Sequence, residues 1–164
     1  MDIPRIFTIT ESEHRIHNPF TPEKLATLGA VLRLKPGMRI LDLGSGSGEM
    51  LCTWARDYAI TGVGVDMSQL FSEQAKQRSE ELGVSENVTF IHGDAAGFVT
   101  DEKCDVAACV GATWIGGGVA GAIALLQKSL RPEGIILIGE PYWRQLPPTE
   151  EVAQACFANA IADF

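Results

Sequence analysis

The sequence has no excess of basic residues and no long hydrophobic run, and each shortage excludes a class of function. Thirteen Lys and Arg residues stand against 21 Asp and Glu residues, so the formal net charge is −8. Tight binding to a nucleic-acid backbone normally needs a basic face, so we expect no nucleic-acid partner. No apolar run approaches the roughly 20 residues of a membrane span, and the first ten residues show no signal-peptide pattern. We therefore expect no membrane partner and a cytoplasmic location.

Cysteine and histidine are too few and too scattered to predict a metal site. The four cysteines form no C-x-x-C pair, and none has a histidine at a spacing typical of zinc ligands. His14 and His17 are three residues apart and could share a helical face, but no third ligand accompanies them. The sequence predicts no metal, and we expect the cysteines to be free thiols in a reducing compartment.

The overall composition is that of one ordinary globular domain. The 164 residues are 46% hydrophobic and 21% charged, and domains typically have roughly 100–150 residues. We predict one structural domain in two parts, an N-terminal cap segment with one helix at residues 1–35 and the main domain at residues 36–164. The helix of the cap segment should begin after an N-cap at Thr21, with Pro22 in its first position, and run to about Leu34.

Short apolar runs alternate with helical stretches from residue 39 onward, which predicts an α/β fold with a parallel sheet. Five strands are predicted, at Arg39–Leu43, Thr61–Asp66, Val88–Ile91, Asp105–Val110 and Gly134–Gly139. Helices are predicted at Ser47–Asp57, after an N-cap at Ser68 as far as Gly83, and at Val119–Leu130. The continuous apolar run Ile135–Ile138 agrees with a strand that is buried on both faces.

The most informative segment is Gly44–Gly48, in which a strand runs into three alternate glycines and a helix starts at once. Glycine lets the backbone bend tightly and approach a ligand closely, and the next helix points unpaired N–H groups at that ligand. Asp66 ends the second strand about 20 residues later, where an acid can accept hydrogen bonds from both ribose hydroxyls. The combination predicts a nucleoside-binding site at the carboxyl ends of the strands.

Two classes of cofactor use such a loop, and Glu49 distinguishes them. The dinucleotide fingerprint G-x-G-x-x-G would place its third glycine at position 49, where a carboxylate would repel a pyrophosphate. The loop Gly44-x-Gly46-x-Gly48, preceded by Asp42, instead resembles motif I of the class I S-adenosylmethionine-dependent methyltransferases. Their cofactor carries a sulfonium and an ammonium group, so acids around it are favourable.

The resemblance covers most of the chain and implies further contacts with the cofactor. Asp66 resembles the motif II acid that holds the ribose, with Met67 beside the adenine, and Asp94 resembles the motif III acid at the adenine amino group. Val110 and Gly111 resemble the segment that passes the methionine part of the cofactor. The implied cofactor site consists of Asp42, Gly44, Ser45, Gly46, Gly48, Asp66, Met67, Asp94, Ala95, Val110 and Gly111.

The same resemblance implies the fold and the reaction. The fold should be Rossmann-like, with a parallel sheet in the order 3-2-1-4-5 and helices on both faces. The protein should bind S-adenosylmethionine at residues 36–164, transfer its methyl group to a small molecule and release S-adenosylhomocysteine, as the small-molecule methyltransferases of bacteria do. Two alternatives stay open: an NAD-type oxidoreductase fragment, and a cofactor-binding module without activity.

Residues that contact the methyl acceptor can be named only as candidates, because methyl transfer from a sulfonium needs mainly proximity and alignment. No catalytic residue is assigned. The candidates lie in the N-terminal stretch and after the fourth and fifth strands; they are Phe20, Trp114, Glu140, Tyr142 and Trp143. Glu140 is the candidate base. The alternative for the three aromatic residues after the strands is packing beneath the N-terminal segment, which either closes over the cofactor as a lid or only covers the sheet.

The fifth strand is predicted to lie at an exposed edge of the sheet. The run Ile135–Ile138 has no charge, although edge strands are normally charged, bulged or covered. Methyltransferases of this resemblance have seven strands, whereas a helix is predicted here at Glu150–Ile161. Three explanations stay open. The chain is a fragment, without two of the strands of a longer protein; a second copy pairs with this edge; or the terminal helix folds across it. The first is our expectation.

Overall fold

A parallel sheet of five strands is the centre of the fold, in a computed structural model that describes residues 5–155. The strands are β1 (Arg39–Leu43), β2 (Thr61–Asp66), β3 (Val88–His92), β4 (Cys104–Val110) and β5 (Leu130–Gly139). They pair in the order β3-β2-β1-β4-β5, and every pair is parallel. The predicted fold class and strand order are therefore confirmed.

Six α-helices and one short 3-10 helix accompany the sheet in the described part of the chain. The α-helices are α1 (Arg5–Glu11), α2 (Pro22–Val31), α3 (Glu49–Tyr58), α4 (Gln69–Glu81), α5 (Val119–Gln127) and α6 (Glu150–Ala155). The 3-10 helix is Thr113–Gly116. No helix among residues 5–155 has the length and apolar character needed to cross a bilayer.

The prediction of a single helix before β1 is wrong, because α1 precedes α2. The sequence of α1 is rich in β-branched isoleucine and threonine, which have a low helix propensity. The prediction that α2 reaches Leu34 is also wrong: α2 ends at Val31, and Arg33 has a left-handed backbone, with φ 53°. The remainder of the terminal helix predicted as far as Ile161 lies outside the described residues.

Two apolar cores lie on the two faces of the sheet, because successive residues of a strand point to opposite sides. Ile40 of β1 packs with α2, α3 and α4, where Trp54 is fully buried. Its neighbour Leu41 packs in the other core with α5, where Leu126 is fully buried. Both faces of the sheet are covered, as predicted, so polar side chains of the central strands can meet a ligand only at the strand ends.

β5 begins earlier than predicted and contains an irregularity. Leu130 pairs with Cys104, but the next paired residues are Val106 and Ile135, so β5 has extra residues between them. The prediction that a helix runs to Leu130 is wrong because this residue already belongs to the sheet. Within the described residues β5 pairs with β4 alone, and Ile135 is 41% exposed. Self-association through this edge stays a prediction.

Asp105 joins three strands at their amino ends, on the side of the sheet opposite the glycine loop. Its side chain is buried; Oδ2 accepts a hydrogen bond from the backbone N–H of Arg39 at 2.6 Å, and Oδ1 contacts the guanidinium group of Arg131. A buried carboxylate with these partners fixes the starts of β1 and β4 relative to the bulged part of β5.

We expect Asp105→Asn to lower the free energy of unfolding by about 1–3 kcal/mol, because it removes the charge that Arg131 contacts and places an N–H₂ donor in the same buried position. Urea denaturation measures the difference. Asp101→Asn, at an exposed residue in the preceding loop, is the matched control and should change stability by less than about 0.5 kcal/mol. Equal losses in the two variants would contradict the role of Asp105.

Candidate functional site

A cavity of about 760 Å³ opens at the carboxyl end of the sheet. Its walls come from the loops that follow β1, β2, β3 and β4, and from the N-terminal segment before α2. Ligand sites of open α/β sheets lie at this edge, and cavities of roughly 300–1,000 Å³ hold small molecules.

The structure brings most of the predicted cofactor residues together around this cavity. The lining includes Asp42, Gly44, Ser45, Gly46, Asp66, Met67, Asp94, Ala95, Val110 and Gly111. Gly48 does not line the cavity. It is buried with φ 73°, and a Cβ there would lie 2.6 Å from Phe90 and 2.7 Å from Ala75, so this glycine lets the loop pack on the sheet and on α4.

The glycine loop is tied to the end of β2 by backbone hydrogen bonds. The N–H groups of Gly44 and Ser45 donate to the carbonyl of Val65 at 2.8 and 3.2 Å. Gly46 has φ 52°, and a Cβ there would lie 2.7 Å from Nδ1 of His17. The loop therefore needs glycine at position 46 both for its backbone conformation and for the approach of the N-terminal segment.

Asp66 is held in one orientation by two backbone donors. Its Oδ2 accepts from the N–H of Gly46 and its Oδ1 from the N–H of Ser68, both at 2.8 Å. Ser68 in turn is the N-cap of α4. The predicted ribose acid thus links the glycine loop to the start of the next helix and keeps its carboxylate at the cavity wall.

Asp42, at the end of β1, is the one buried carboxylate of the cavity without a partner. The residue is 4% exposed. Its carboxylate is accessible from the cavity and has no hydrogen bond or ion pair with any residue of the described range 5–155. Burial, and then the neighbouring charge of Asp66, raise the pKa of Asp42 to about 7. Asp42 therefore holds a proton below neutral pH.

The N-terminal segment covers one side of the cavity. The His17 ring packs on Phe71, with centroids 4.3 Å apart, and its Nε2 lies 2.9 Å from the hydroxyl of Ser47. That hydroxyl donates to Oε1 of Gln74 at 2.8 Å. Burial lowers the pKa of His17, so the ring is neutral at physiological pH and its Nε2–H donates to Ser47. Asn18 donates to the carbonyl of Val110 at 3.3 Å.

These contacts place the N-terminal segment over one side of the cavity, and its action as a lid, one of the two alternatives that the sequence left open, stays a prediction. Ile16, His17 and Asn18 line the cavity, and the sequence had singled out neither Ile16 nor Asn18 as a ligand contact. His14 and His17 belong to no group of three or more potential metal ligands among residues 5–155.

The candidate acceptor residues separate into two groups. Phe20 and Trp114 line the cavity, and Trp114 is 61% exposed at its wall. Glu140, Tyr142 and Trp143 do not line it, and Tyr142 is 73% exposed. The carboxylate of Glu140 instead accepts hydrogen bonds from Thr113, one from the backbone N–H at 3.2 Å and one from the hydroxyl. Glu140 thereby holds the start of the 3-10 helix that carries Trp114.

We expect Asp42→Asn to stabilise the protein at pH 8 by up to about 4 kcal/mol, a gain that disappears near pH 4. The folded protein holds a proton on Asp42 up to about pH 7, whereas the unfolded chain loses it near 3.8. Stability is therefore lost as the pH rises between these two values. Urea denaturation at both pH values measures the gain, and Asp101→Asn should show none. A gain that is equal at both pH values would contradict the buried, unpartnered state of Asp42.

For Glu140, hydrogen exchange at the amide of Thr113 tests its structural role. Glu140→Ala removes the acceptor, so exchange should be about tenfold faster. Glu140→Gln keeps a side-chain oxygen at that position and should exchange nearly as slowly as the unmodified protein. Equal exchange rates in all three proteins would show that the 3-10 helix does not depend on Glu140.

Comparison with known proteins gives the family of the chain. A family model described as a methyltransferase domain matches residues 34–163. The protein YjhP of Escherichia coli strain K12 is 77% identical over all 164 residues. A solved S-adenosylmethionine-dependent methyltransferase of Geobacter sulfurreducens, in complex with S-adenosyl-L-homocysteine, is 77% identical, with a TM-score of 0.98 over 99% of this chain.

A second solved structure agrees with the first. The S-adenosylmethionine-dependent methyltransferase of Thiobacillus denitrificans, also in complex with S-adenosyl-L-homocysteine, is 75% identical, with a TM-score of 0.97 over 100% of this chain. The chain spans 66% of the length of each of these three relatives.

Proposed function

The chain belongs to the methyltransferase domain family, and we propose that it binds S-adenosylmethionine and transfers the methyl group to a small molecule. The observation that carries the proposal is the pair of carboxylates, Asp42 and Asp66, at the wall of the cavity beneath the glycine loop. A ligand with a sulfonium and an ammonium group is attracted to such a wall, whereas a pyrophosphate is repelled. The solved relatives that hold S-adenosyl-L-homocysteine support the same cofactor.

The residues around the cavity fit this cofactor by their chemistry. Asp42 offers a buried carboxylate with no partner among the described residues, as a cationic ligand requires. Asp66 has two oxygens, each of which can accept a ribose hydroxyl besides its N–H donor. Asp94 accepts the N–H of Ala96 through Oδ1 at 2.8 Å, which leaves Oδ2 for the adenine amino group. Met67 and Ala95 supply apolar surface beside it.

The role of the protein in the reaction is to bind the cofactor and the methyl acceptor and to align them. When bound, the cofactor supplies a methyl group on a positively charged sulfur. Gly44, Gly46 and Gly111 line the cavity, and the space that a Cβ would need at these positions is taken by Ala112, His17 and Asn18. The N-terminal segment with His17 and Asn18 limits the access of water. The residues that contact the acceptor in this proposal are Phe20 and Trp114. Glu140 is bound to Thr113 and acts on the acceptor only through the position of Trp114.

The competing cofactor, NAD, is disfavoured by the first turn of α3. Glu49 lies at the cavity wall and is held there by Arg78, with two N–O distances of 2.7 and 2.9 Å. A fixed carboxylate occupies the place where a dinucleotide fingerprint has its third glycine. The other alternative is a module that binds S-adenosylmethionine but has no activity. It differs from the proposed enzyme only in giving no turnover with methyl acceptors.

We expect Asp66→Ala to weaken the binding of S-adenosylmethionine about ten- to a hundredfold, because two ribose hydroxyls lose a charged acceptor. Isothermal titration calorimetry with S-adenosylmethionine and with NAD provides the test. Asp57→Ala, at an exposed acid in the last turn of α3, is the control and should bind as the unmodified protein does. Unchanged affinity of Asp66→Ala would overturn the assignment of this residue, and binding of NAD alone would overturn the proposed function.

We also propose the cytoplasm as the compartment of the protein. Cys52, Cys104 and Cys109 are buried free thiols. Burial raises the pKa of Cys52 and of Cys109 to about 12, so both stay protonated and unreactive. Such thiols are ordinary in a reducing compartment. The absence of nucleic-acid and membrane partners stays a prediction from the sequence.

A further inference from the structure

The proton of the His17 ring is placed by the oxygen atoms around its Nε2. One is the backbone carbonyl of His14, at 3.1 Å, and the other is the hydroxyl of Ser47, at 2.9 Å. A carbonyl oxygen can only accept a hydrogen bond, so Nε2 must carry a proton. Burial lowers the pKa of His17, so the ring is neutral and holds no second proton. The nitrogen without a proton is therefore Nδ1.

Gln74, on α4, fixes the direction of the same hydrogen bonds from their other end. Its Nε2 donates to the carbonyl of Ser12 at 2.8 Å, which leaves its Oε1 to accept from the hydroxyl of Ser47, also at 2.8 Å. A serine hydroxyl has one proton, so Ser47 donates to Gln74 and accepts from His17. The backbone carbonyls of Ser12 and His14 thus impose one arrangement of protons on the three side chains.

Nδ1 of His17 is an accessible acceptor without a hydrogen-bond partner among residues 5–155. It lies beside Gly46, where an added Cβ would be 2.7 Å from it, and both residues line the cavity. The N–H of Gly46 donates to Asp66, the acid that the proposed function assigns to the ribose. The unprotonated nitrogen and this carboxylate are thus neighbours of the same glycine in the loop.

We infer that Nδ1 of His17 accepts a hydrogen bond from an N–H or O–H group of the bound cofactor. This inference rests on the proposed function. Water solvates an accessible nitrogen in the free protein, and a ligand that displaces this water without donating a hydrogen bond loses affinity. S-adenosylmethionine has donors in its ribose hydroxyls and its ammonium group, besides the adenine amino group placed at Asp94. Because Nε2 of the same ring is bound to Ser47, the cofactor also holds the N-terminal segment in place.

Nitrogen nuclear magnetic resonance of isotope-labelled histidine tests the inference without a methyl acceptor. Above neutral pH the free protein should show a proton on Nε2 of His17 and none on Nδ1. Saturation with S-adenosylhomocysteine should shift the Nδ1 resonance upfield, as for a nitrogen that accepts a hydrogen bond, while Nε2 keeps its proton. The chain has three histidines, and the spectrum of His17→Asn identifies the signals of His17 by their loss.

A second ligand distinguishes the two possible sources of the donor. The ligand 5′-methylthioadenosine has the ribose and the adenine of the cofactor but no ammonium group. An upfield shift of Nδ1 at saturation with this ligand assigns the donor to the ribose. A shift with S-adenosylhomocysteine alone assigns it to the ammonium group, and both results support the contact.

A matched pair of variants separates the ligand contact from the structural role of the ring. The side-chain oxygen of asparagine reaches the position of Nδ1, whereas the side-chain amide of glutamine reaches the position of Nε2. His17→Asn should therefore keep most of the affinity for S-adenosylhomocysteine. His17→Gln should bind it about three- to tenfold more weakly, because the acceptor is lost. Isothermal titration calorimetry measures the affinities, and thermal unfolding checks that both variants fold.

The outcomes separate this inference from the proposed function. If Nδ1 carries the proton in the free protein, or if its resonance does not move at saturation, the inference is overturned and the cofactor stands. The same conclusion follows if His17→Gln keeps the full affinity. If neither variant folds, the resonances of the unmodified protein decide the question. If the unmodified protein binds neither S-adenosylmethionine nor S-adenosylhomocysteine, the proposed function and this inference fail together.

Discussion

The approach of the glycine loop to the carboxyl end of β2 is the constraint on which the site depends. The N–H of Gly46 reaches the carboxylate of Asp66, and the His17 ring occupies the space that a Cβ at position 46 would need. A larger residue there would have to move the loop and the N-terminal segment at once, because a contact of 2.7 Å leaves no room for a Cβ. The positions of the glycine loop, of Asp66 and of the N-terminal segment therefore depend on one another.

Local patterns account for the parts of the fold that the sequence predicted well. The bounds of β1 and β2 agree to the residue, because each apolar run ends at a glycine or an acid that cannot continue it. The N-cap Ser68 begins α4 as predicted. α1 was missed because its isoleucine and threonine residues favour a strand as readily as a helix. The early start of β5 was missed because Leu130 continues the apolar pattern of α5, and only its pairing with Cys104 distinguishes the two.

The residues of the site could likewise be predicted where their contacts are local, and not where their contacts are distant in the sequence. The glycine loop is a short segment, and its conformation follows from its own residues, so its place at the cavity could be predicted. The contacts of His17 with Ser47 and of Asn18 with Val110 span 30 and 92 residues, and a single sequence contains no pattern for them. Glu140 was placed correctly at the end of a strand, but the direction of its carboxylate depends on Thr113, in a loop that carried no helical signal.

The unpartnered state of Asp42 shows how the surrounding charges serve the cavity. An arginine near Asp42 would pair with it and remove the cost of burying a lone carboxylate. Arg78 and Arg15 are close to the cavity, but Glu49 and Glu81 bind them, so neither neutralises its wall. Glu49 and Glu81 thus form ion pairs with the nearby arginines, so neither arginine neutralises the negative charge inside the cavity. A fold selected for stability alone has no reason to retain such a carboxylate, whereas a site that binds a positively charged ligand has one.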